Sequence, residues 1–156
     1  AATHGLNYIC VRPANAFGEG QKPFTGQGFI STAMASVLAG KKVKIFGKAG
    51  TIRDYIYISD LAAGIACALE NGRLSETYNL GSGKGYSNLE ILEFMSSIMT
   101  SDGFEIEVEN LPERSFDVKA NILDSTKLIN HTGWKPGVEF LDGLKKTYTW
   151  LSKLNV

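Results

Sequence analysis

Two short apolar runs constrain the fold of this 156-residue sequence more than any other feature. Residues 6–11 (LNYICV) and Thr77–Leu80 (TYNL) read as strands, with β-branched and aromatic residues in close succession. Runs of this kind are typical of strands buried on both faces of a parallel sheet. We therefore expect an α/β fold in which both runs belong to one parallel sheet whose other strands lie outside this chain.

The chain leaves the first run through Arg12 and Pro13, and Gly18 then turns it. Proline cannot donate to a strand ladder, so this segment marks the end of a strand. Ligands of open α/β sheets bind at the carboxyl ends of the strands, which makes Asn15 a candidate ligand contact. The alternative is that Asn15 only stabilises a turn.

A second informative stretch contains two β-rich runs, Val43–Phe46 and residues 55–58, which a glycine-containing loop joins. Arg53 stands next to the second run and therefore on a rigid element. Its planar guanidinium suits bidentate capture of a phosphate or a carboxylate. The alternative is an ion pair with Asp54 or with another surface acid.

The remaining elements follow from helical spacing, capping residues and alternation. Helices are expected over residues 29–39, from Ser59 or Asp60 to Gly72, from near Ser87, from residue 124 to Gly133, and around Leu141, Leu144, Tyr148 and Leu151. The second helix is expected to bury Leu61, Ile65, Ala68 and Leu69. The third is expected to bury Leu89, Leu92, Met95, Ile98 and Met99. Ser87 and Glu90 form an S-x-x-E capping box. Residues 104–108 alternate apolar and acidic side chains, which predicts a strand paired with Val43–Phe46 in a separate small sheet.

Composition excludes several classes of function. Sixteen basic and sixteen acidic residues cancel, which gives no support for nucleic-acid or anionic-membrane binding. No apolar segment approaches the roughly 18 to 20 residues of a membrane span. Cys10 and Cys67 lie in apolar runs, which predicts buried free thiols in a reducing, cytoplasmic compartment. His4 and His131 have no ligand cluster near them, so no metal site is expected.

Arg114 and Asp117 form a second candidate site in a segment without regular patterning. A guanidinium there could bind phosphate while the carboxylate accepts hydrogen bonds from ribose hydroxyls. The alternative is a local surface ion pair, which contributes little to stability.

Several of these blocks, in this order, resemble the extended short-chain dehydrogenases/reductases, the family of NAD-dependent nucleotide-sugar epimerases and dehydratases. The blocks are the R-x-x-N-x-x-G pattern of residues 12–18, VKIFGKAGTIRDYIYISDLAAGI, YNLGSG, the pair Arg114 and Asp117, and DSTKLINHTGWKP. Two positions depart from the family pattern. Gly28 stands where members often carry a nucleotide-binding asparagine, and Phe116 replaces the glycine of R-x-G-D.

The resemblance implies that eight residues hold a nucleotide-diphosphate-sugar such as a UDP-sugar. They are Asn15, Lys44, Ile45, Phe46, Arg53, Arg114, Asp117 and Asn121. Asn15 and Arg53 are expected near the diphosphate, Arg114 and Asp117 near diphosphate and ribose, and the backbone of residues 44–46 near the base. Asn121 aligns with a position whose bulk helps decide whether an N-acetylated sugar fits. The resemblance also implies that Pro13 contacts NAD.

Two parts of the family's machinery are absent from this sequence. No G-x-x-G-x-x-G loop follows a first strand, and no Tyr-x-x-x-Lys pair is present. In the family that lysine lowers the pKa of the tyrosine that acts as general base. The turn at residues 81–85 has G-x-G-x-G spacing, and the resemblance makes it structural. We therefore expect residues 1–156 to be the C-terminal substrate-binding region of a longer enzyme, without catalytic residues of its own.

The function implied is that of an NAD-dependent sugar epimerase, which oxidises C4 of the sugar to a 4-keto intermediate and returns the hydride. A 4,6-dehydratase or a keto-sugar reductase of the same family is the alternative, and so is a non-catalytic sugar-nucleotide-binding module. Expected partners are the nucleotide-sugar, the protein's own N-terminal NAD-binding region and a second copy in a homodimer.

Overall fold

A computed structural model describes residues 4–154 of the chain. In chain order its elements are β1 (Cys10–Pro13), β2 (Asn15–Phe17), α1 (Phe29–Leu38), β3 (Val43–Phe46), β4 (Ile52–Tyr57), α2 (Ile58–Asn71), β5 (Thr77–Leu80), β6 (Gly85–Ser87), α3 (Asn88–Met99), a 3-10 turn (Thr100–Asp102), β7 (Val108–Leu111), β8 (Ala120–Asn121), α4 (Thr126–Thr132) and α5 (Phe140–Leu151). Three sheets result. β1 pairs with β5 in parallel, β3 pairs with β7 in parallel, and β4 is flanked by β2, β6 and β8.

The predicted parallel pairing of the two apolar runs is confirmed, but the first strand begins later than expected. Cys10 lies opposite Thr77, and Pro13 lies opposite Leu80. Residues 6–9 run alongside the turn that precedes β5, where the Ser75 amide donates to the Tyr8 carbonyl at 2.8 Å. Because β5 has not yet begun there, those residues have no ladder to join.

One face of this sheet is covered by helices of the chain, and the other is open. Tyr78 and Leu80 are fully buried, and Ile9 and Val11 pack against the same cluster. Cys10 alternates to the open face and is exposed, so the expectation that it is buried is wrong. Burial on both faces was expected only together with strands outside this chain, and among residues 4–154 one face does remain open, with Ile9 and Val11 only half-buried.

Three further corrections concern helix faces and strand ends. α2 begins at Ile58 after an N-cap at Tyr57, not at Ser59 or Asp60. Its buried face is Leu61, Gly64 and Ala68, while Ile65 is 47% and Leu69 76% exposed. Gly64 sets this rotation, since a Cβ there would lie 2.7 Å from Leu80 and 3.0 Å from Trp134. Leu89 of α3 is likewise exposed rather than in the core.

The strand expected at residues 104–108 forms at Val108–Leu111 instead, and it pairs with β3 as predicted. Phe104 and Ile106 pack against the core from irregular backbone. The capping box is confirmed, because the Ser87 hydroxyl accepts from the Glu90 amide at 3.2 Å and a Glu90 carboxylate oxygen accepts from the Ser87 amide at 2.8 Å.

The core consists of two clusters that meet at β4. Tyr55 and Tyr57 face a cluster built by α1, α3 and α5, whereas Ile56 faces one built by α2, α4 and β5. β4 is therefore covered on both sides, which makes it the rigid centre of the molecule. Among residues 4–154, no helix combines the length and the apolar character that crossing a membrane requires.

Candidate functional site

Four polar side chains meet on one face of β4. Asn15 of β2 lies opposite Tyr55, and Asn121 of β8 lies opposite Arg53, both in parallel register. Register partners point to the same face of a sheet, and residues two apart along a strand do the same. Three of the predicted site residues, Asn15, Arg53 and Asn121, are therefore brought together with Tyr55, which sequence reasoning did not propose.

Arg53 lies within β4, not in the loop before it. Its Nη1 donates to the Ile52 carbonyl at 2.8 Å and to the Val118 carbonyl at 2.6 Å. Among residues 4–154 the rest of the guanidinium has no hydrogen-bond partner, and no ion pair joins it to Asp54. The remaining N–H groups can therefore bind an anion while Nη1 fixes the orientation of the group.

Arg114, Asp117 and Phe46 line one cleft of about 670 Å³, which also contains Lys48 and Lys119 and which we call the charged cleft. The Arg114 Cζ atom lies 3.4 Å from the centroid of the Phe46 ring, a stacked cation–π arrangement. The Asp117 amide donates to the Arg114 carbonyl at 3.2 Å. Within the described range no side-chain ion pair joins Arg114 and Asp117, so the alternative of a local ion pair is not supported.

The backbone of β3 offers a free edge next to this cleft. The Val43 amide donates to the Glu107 carbonyl at 2.8 Å, and the Gly47 amide donates to the Leu111 carbonyl at 2.9 Å. Alternate residues of a strand point their backbone groups to opposite edges, so the amides of Lys44 and Phe46 point away from β7. Among the described strands none pairs with β3 on that side. The Ile45 side chain is buried, and by the same alternation its backbone groups point to β7, so Ile45 supports the free edge without being part of it.

A second cavity, of about 440 Å³, lies on the other side of Arg53 along β4. It is lined by Ala14, Asn15, Ala16, Phe17, Gln21, Gln27, Gly28, Phe29, Ile30 and Tyr55, and we call it the carboxamide cavity. No lining residue carries a formal charge. Burial raises the pKa of Tyr55 to about 12, against the opposing effects of the Arg53 charge and the Asn15 amide. The phenol is therefore neutral at physiological pH, and so is the cavity wall.

Asp54 is a buried carboxylate that sequence reasoning considered only as a partner for Arg53. It accepts hydrogen bonds from the Ser82 amide at 2.9 Å, the Ser82 hydroxyl at 2.7 Å, the Gly83 amide at 3.0 Å and the Leu123 amide at 3.2 Å. These bonds tie the glycine turn and the segment after β8 to β4. The turn's amides are thus occupied, as expected for a structural turn rather than a phosphate-binding loop.

Pro13 and Lys44 stand apart from these two sites. Pro13 is exposed at the carboxyl end of β1 and lines neither the charged cleft nor the carboxamide cavity. The exposed Lys44 side chain lines a separate groove beside α1. In the part of the chain that the structure describes, no group of three or more His, Cys, Asp or Glu side chains could hold a metal ion.

Comparison with known proteins identifies the class to which this fold and site belong. Residues 1–81 match the NAD dependent epimerase/dehydratase family. The chain belongs to this family, which confirms the resemblance and the α/β fold with parallel strands inferred from the sequence.

Relatives that the chain matches carry two different activities in their names. The chain is 30% identical over 148 residues to a dTDP-glucose 4,6-dehydratase of Actinoplanes sp., covering 95% of this chain and 45% of that protein. The UDP-glucose 4-epimerase of Thermotoga maritima, solved with UDP-glucose, is 32% identical with a TM-score of 0.90 over 97% of this chain and 48% of that one. The Thermus thermophilus UDP-glucose 4-epimerase, a complex with NAD, is 30% identical with a TM-score of 0.86 over 97% and 49%. This chain therefore spans about half the length of the relatives it matches.

Proposed function

We propose that the protein binds the nucleotide-diphosphate-sugar substrate of an NAD-dependent sugar epimerase. The observation that carries the proposal is the position of Arg53, which lies beside Asn121 on one face of β4, two residues from Tyr55 and its register partner Asn15. Nη1 of Arg53 holds the Val118 carbonyl of the loop that bears Arg114 and Asp117 at 2.6 Å. One side chain therefore connects two groups of predicted contacts into a continuous site.

The two ends of the site suit different parts of such a ligand. The diphosphate would lie on the free N–H groups of Arg53 and on Arg114, because guanidinium groups bind phosphate through paired, charge-assisted hydrogen bonds. Asp117 would accept from the ribose hydroxyls. The base would bind the free backbone edge at Lys44 and Phe46, with the buried Ile45 holding that edge in place. Asn121, beside Arg53 in the sheet, would contact the sugar, and Asn15 the diphosphate from the other side.

NAD would accept a hydride from C4 of the sugar and return it to the 4-keto intermediate. The described residues do not form a cradle for its pyrophosphate, since the amides of the glycine turn at Ser82 and Gly83 are bound to Asp54. We therefore assign the described residues to the nucleotide-sugar. We propose that a further N-terminal region binds NAD and supplies the general base, with Pro13 as a contact from this chain, and that the whole enzyme is a homodimer.

Of three alternatives, two have specific support. The dTDP-glucose 4,6-dehydratases among the relatives favour a dehydratase, in which elimination precedes the return of the hydride. A keto-sugar reductase would use the same grip on the nucleotide. The absence of a Tyr-x-x-x-Lys pair from residues 1–156 favours a non-catalytic sugar-nucleotide-binding module.

One experiment separates these possibilities. The full-length protein is incubated with NAD and a panel of UDP-, dTDP- and GDP-sugars, and bound ligands and products are identified. A product differing only in the configuration at C4 supports the epimerase, a 4-keto-6-deoxy product the dehydratase, and binding without turnover the module. A protein that binds no member of the panel contradicts the proposal. Residues 1–156 alone should show no turnover with added NAD, whereas turnover would contradict the need for a further region.

A further inference from the structure

Among the buried side-chain nitrogen and oxygen atoms of the described residues, one lacks a hydrogen-bond partner, and it belongs to a residue for which the proposed function gives no role. It is the carbonyl oxygen Oε1 of Gln21, in the glycine-rich segment between β2 and α1. Buried polar groups in proteins are nearly always paired, because an unpaired one loses its hydration without compensation. Gln21 also lines the carboxamide cavity. The unpaired atom therefore belongs to a residue in the wall of a cavity of about 440 Å³.

The orientation of the Gln21 carboxamide is fixed by its surroundings. Its Nε2 donates to the Ala16 carbonyl at 3.0 Å. A carbonyl oxygen only accepts, so the amide nitrogen must face Ala16, and a flipped amide would place two acceptors together. On the other side the carboxamide lies directly over Gly28, where a Cβ would come within 2.7 Å of the Gln21 Cδ atom. The absence of a Cβ at Gly28 therefore leaves the room that Gln21 occupies. Gly28 also has a φ of 80°, a conformation that favours glycine.

An acceptor in this position selects for one kind of ligand group. Phosphate oxygens are themselves acceptors and cannot pair with Oε1, whereas a hydroxyl group can donate to it. The cavity wall has no formal charge, which suits the neutral part of a nucleotide-sugar better than its diphosphate. Tyr55, in the same wall, lies two residues from Arg53 along β4, or about 7 Å for a strand. A sugar attached to a diphosphate on Arg53 can therefore reach the cavity.

We propose that Gln21 is a specificity-determining residue of the substrate site, whose Oε1 accepts a hydrogen bond from a hydroxyl of the sugar beyond the diphosphate. This inference rests on the proposed function. It adds a contact that the sequence did not indicate. It assigns the carboxamide cavity to the sugar, with Asn15 at the end of the cavity near Arg53 and the diphosphate, and it assigns the charged cleft to the nucleotide.

The test uses Gln21→Met, which keeps the length of the side chain and removes both hydrogen-bonding atoms. Asn130→Leu is the control, because it makes a comparable change at an exposed carboxamide that lines neither the carboxamide cavity nor the charged cleft. Dissociation constants are measured by calorimetry for UDP-glucose, dTDP-glucose, UDP and dTDP. We expect Gln21→Met to weaken binding of the sugar nucleotide about tenfold, or about 1.4 kcal/mol. Binding of the nucleoside diphosphate should be unchanged in the same variant, which also shows that the fold is intact.

Deoxyfluoro analogues of UDP-glucose, or of dTDP-glucose where only that ligand binds, identify the hydroxyl, since fluorine cannot donate. In a double-mutant cycle, one analogue should bind the unmodified protein more weakly than the parent sugar nucleotide does. The same analogue should bind Gln21→Met as tightly as the parent sugar nucleotide does. Three outcomes would each overturn the assignment: equal losses of affinity for sugar nucleotide and nucleoside diphosphate, an equal loss in Asn130→Leu, or, for every analogue, the same loss of affinity in Gln21→Met as in the unmodified protein. Failure of the unmodified protein to bind either sugar nucleotide would instead refute the proposed function itself.

Discussion

The charged cleft and the carboxamide cavity lie on either side of Arg53 along the same strand, yet they are built differently. The charged cleft takes Arg114, Asp117 and Lys119 from a loop and stacks Arg114 on Phe46. The carboxamide cavity takes uncharged side chains from β2, β4 and the segment before α1. A ligand with one anionic and one neutral polyhydroxyl part matches this division. Under the proposed function, one rigid strand would hold two chemically distinct parts of a substrate.

The largest effect should come from the carboxylate beneath both sites. Asp54→Ala removes the acceptor of four hydrogen bonds in a buried position. We expect a loss of about 3 kcal/mol in the free energy of unfolding, since the donors left without partners are costly. Urea unfolding at pH 7 measures it.

Asp117→Ala is the matched control for that change. It removes a partly exposed carboxylate of the charged cleft that accepts no side-chain hydrogen bond within residues 4–154. Stability should change by less than about 0.5 kcal/mol, while nucleotide binding weakens. If the two variants lose the same stability, Asp54 does not brace the strand as described.

Arg53→Ala should have the next largest effect, which is a lower affinity for the nucleotide-sugar. Charge-assisted hydrogen bonds contribute roughly 1.5 to 3 kcal/mol, or about one to two decades in dissociation constant. Binding of UDP-glucose or dTDP-glucose is measured by calorimetry, with Arg73→Ala, an exposed arginine outside both sites, as the control. NAD binding should be largely unchanged. Equal losses for NAD and for the nucleotide-sugar would mean that Arg53 is structural.

Arg114→Lys sharpens the comparison further because it keeps the charge of the cleft. Lysine lacks the planar fork and the stacked contact with Phe46, and we expect a loss of about 1 kcal/mol in nucleotide affinity, roughly fivefold. Phe46→Leu should cost a similar amount, and the double variant should lose less than the sum. Strict additivity would show that the 3.4 Å stacking does not contribute to binding.

The sequence anticipated the charged cleft better than the carboxamide cavity. Arg53, Arg114 and Asp117 are charged residues for which the sequence left only ligand binding or an ion pair, and they stand in the sequence blocks that resemble the family. Gln21 lies in a segment with several glycines at positive φ, among them Gly26 and Gly28, whose path depends on local backbone conformation rather than on periodicity. Its unpaired carbonyl becomes visible only when the positions of Ala16 and Gly28 are known.

The same distinction holds for the fold. Pairing of β1 with β5 and the capping box of α3 follow from local patterns, and both were predicted. The exposure of Ile65 and Leu69 on α2 was not predicted. Gly64 has no Cβ, so the face of α2 that carries it packs closely against Leu80 and Trp134, and Ile65 and Leu69 are left exposed. Apolar spacing alone does not reveal which of two possible helix faces a neighbour will cover.

The smallest effect on ligand binding concerns the neutrality of the carboxamide cavity. Tyr55→Phe should weaken sugar-nucleotide binding only about twofold at pH 7, since one hydrogen bond between neutral groups is lost. A larger effect should appear in the pH dependence of stability. The pKa of Tyr55 is raised to about 12 from an ordinary value of 10.0. Between those values the unfolded chain loses a proton that the folded protein keeps, so the stability from this group is complete below pH 10 and declines as the pH rises toward 12.

Tyr55→Phe should therefore make the loss of stability with rising pH shallower by up to about 1.4 kcal/mol per pH unit in that range. Urea unfolding at intervals from pH 8 to pH 11.5 gives the slope. Tyr8→Phe, at an exposed tyrosine outside both sites, should leave the slope as it is in the unmodified protein. Tyr148, whose pKa is also raised to about 12 by burial and by its hydrogen bond to Asp102, keeps part of the slope in both variants. An unchanged slope in Tyr55→Phe would mean that the Tyr55 phenol ionises as readily in the folded protein as in the unfolded chain. The wall of the carboxamide cavity would then become charged in alkaline solution, and the contrast between that cavity and the charged cleft would weaken.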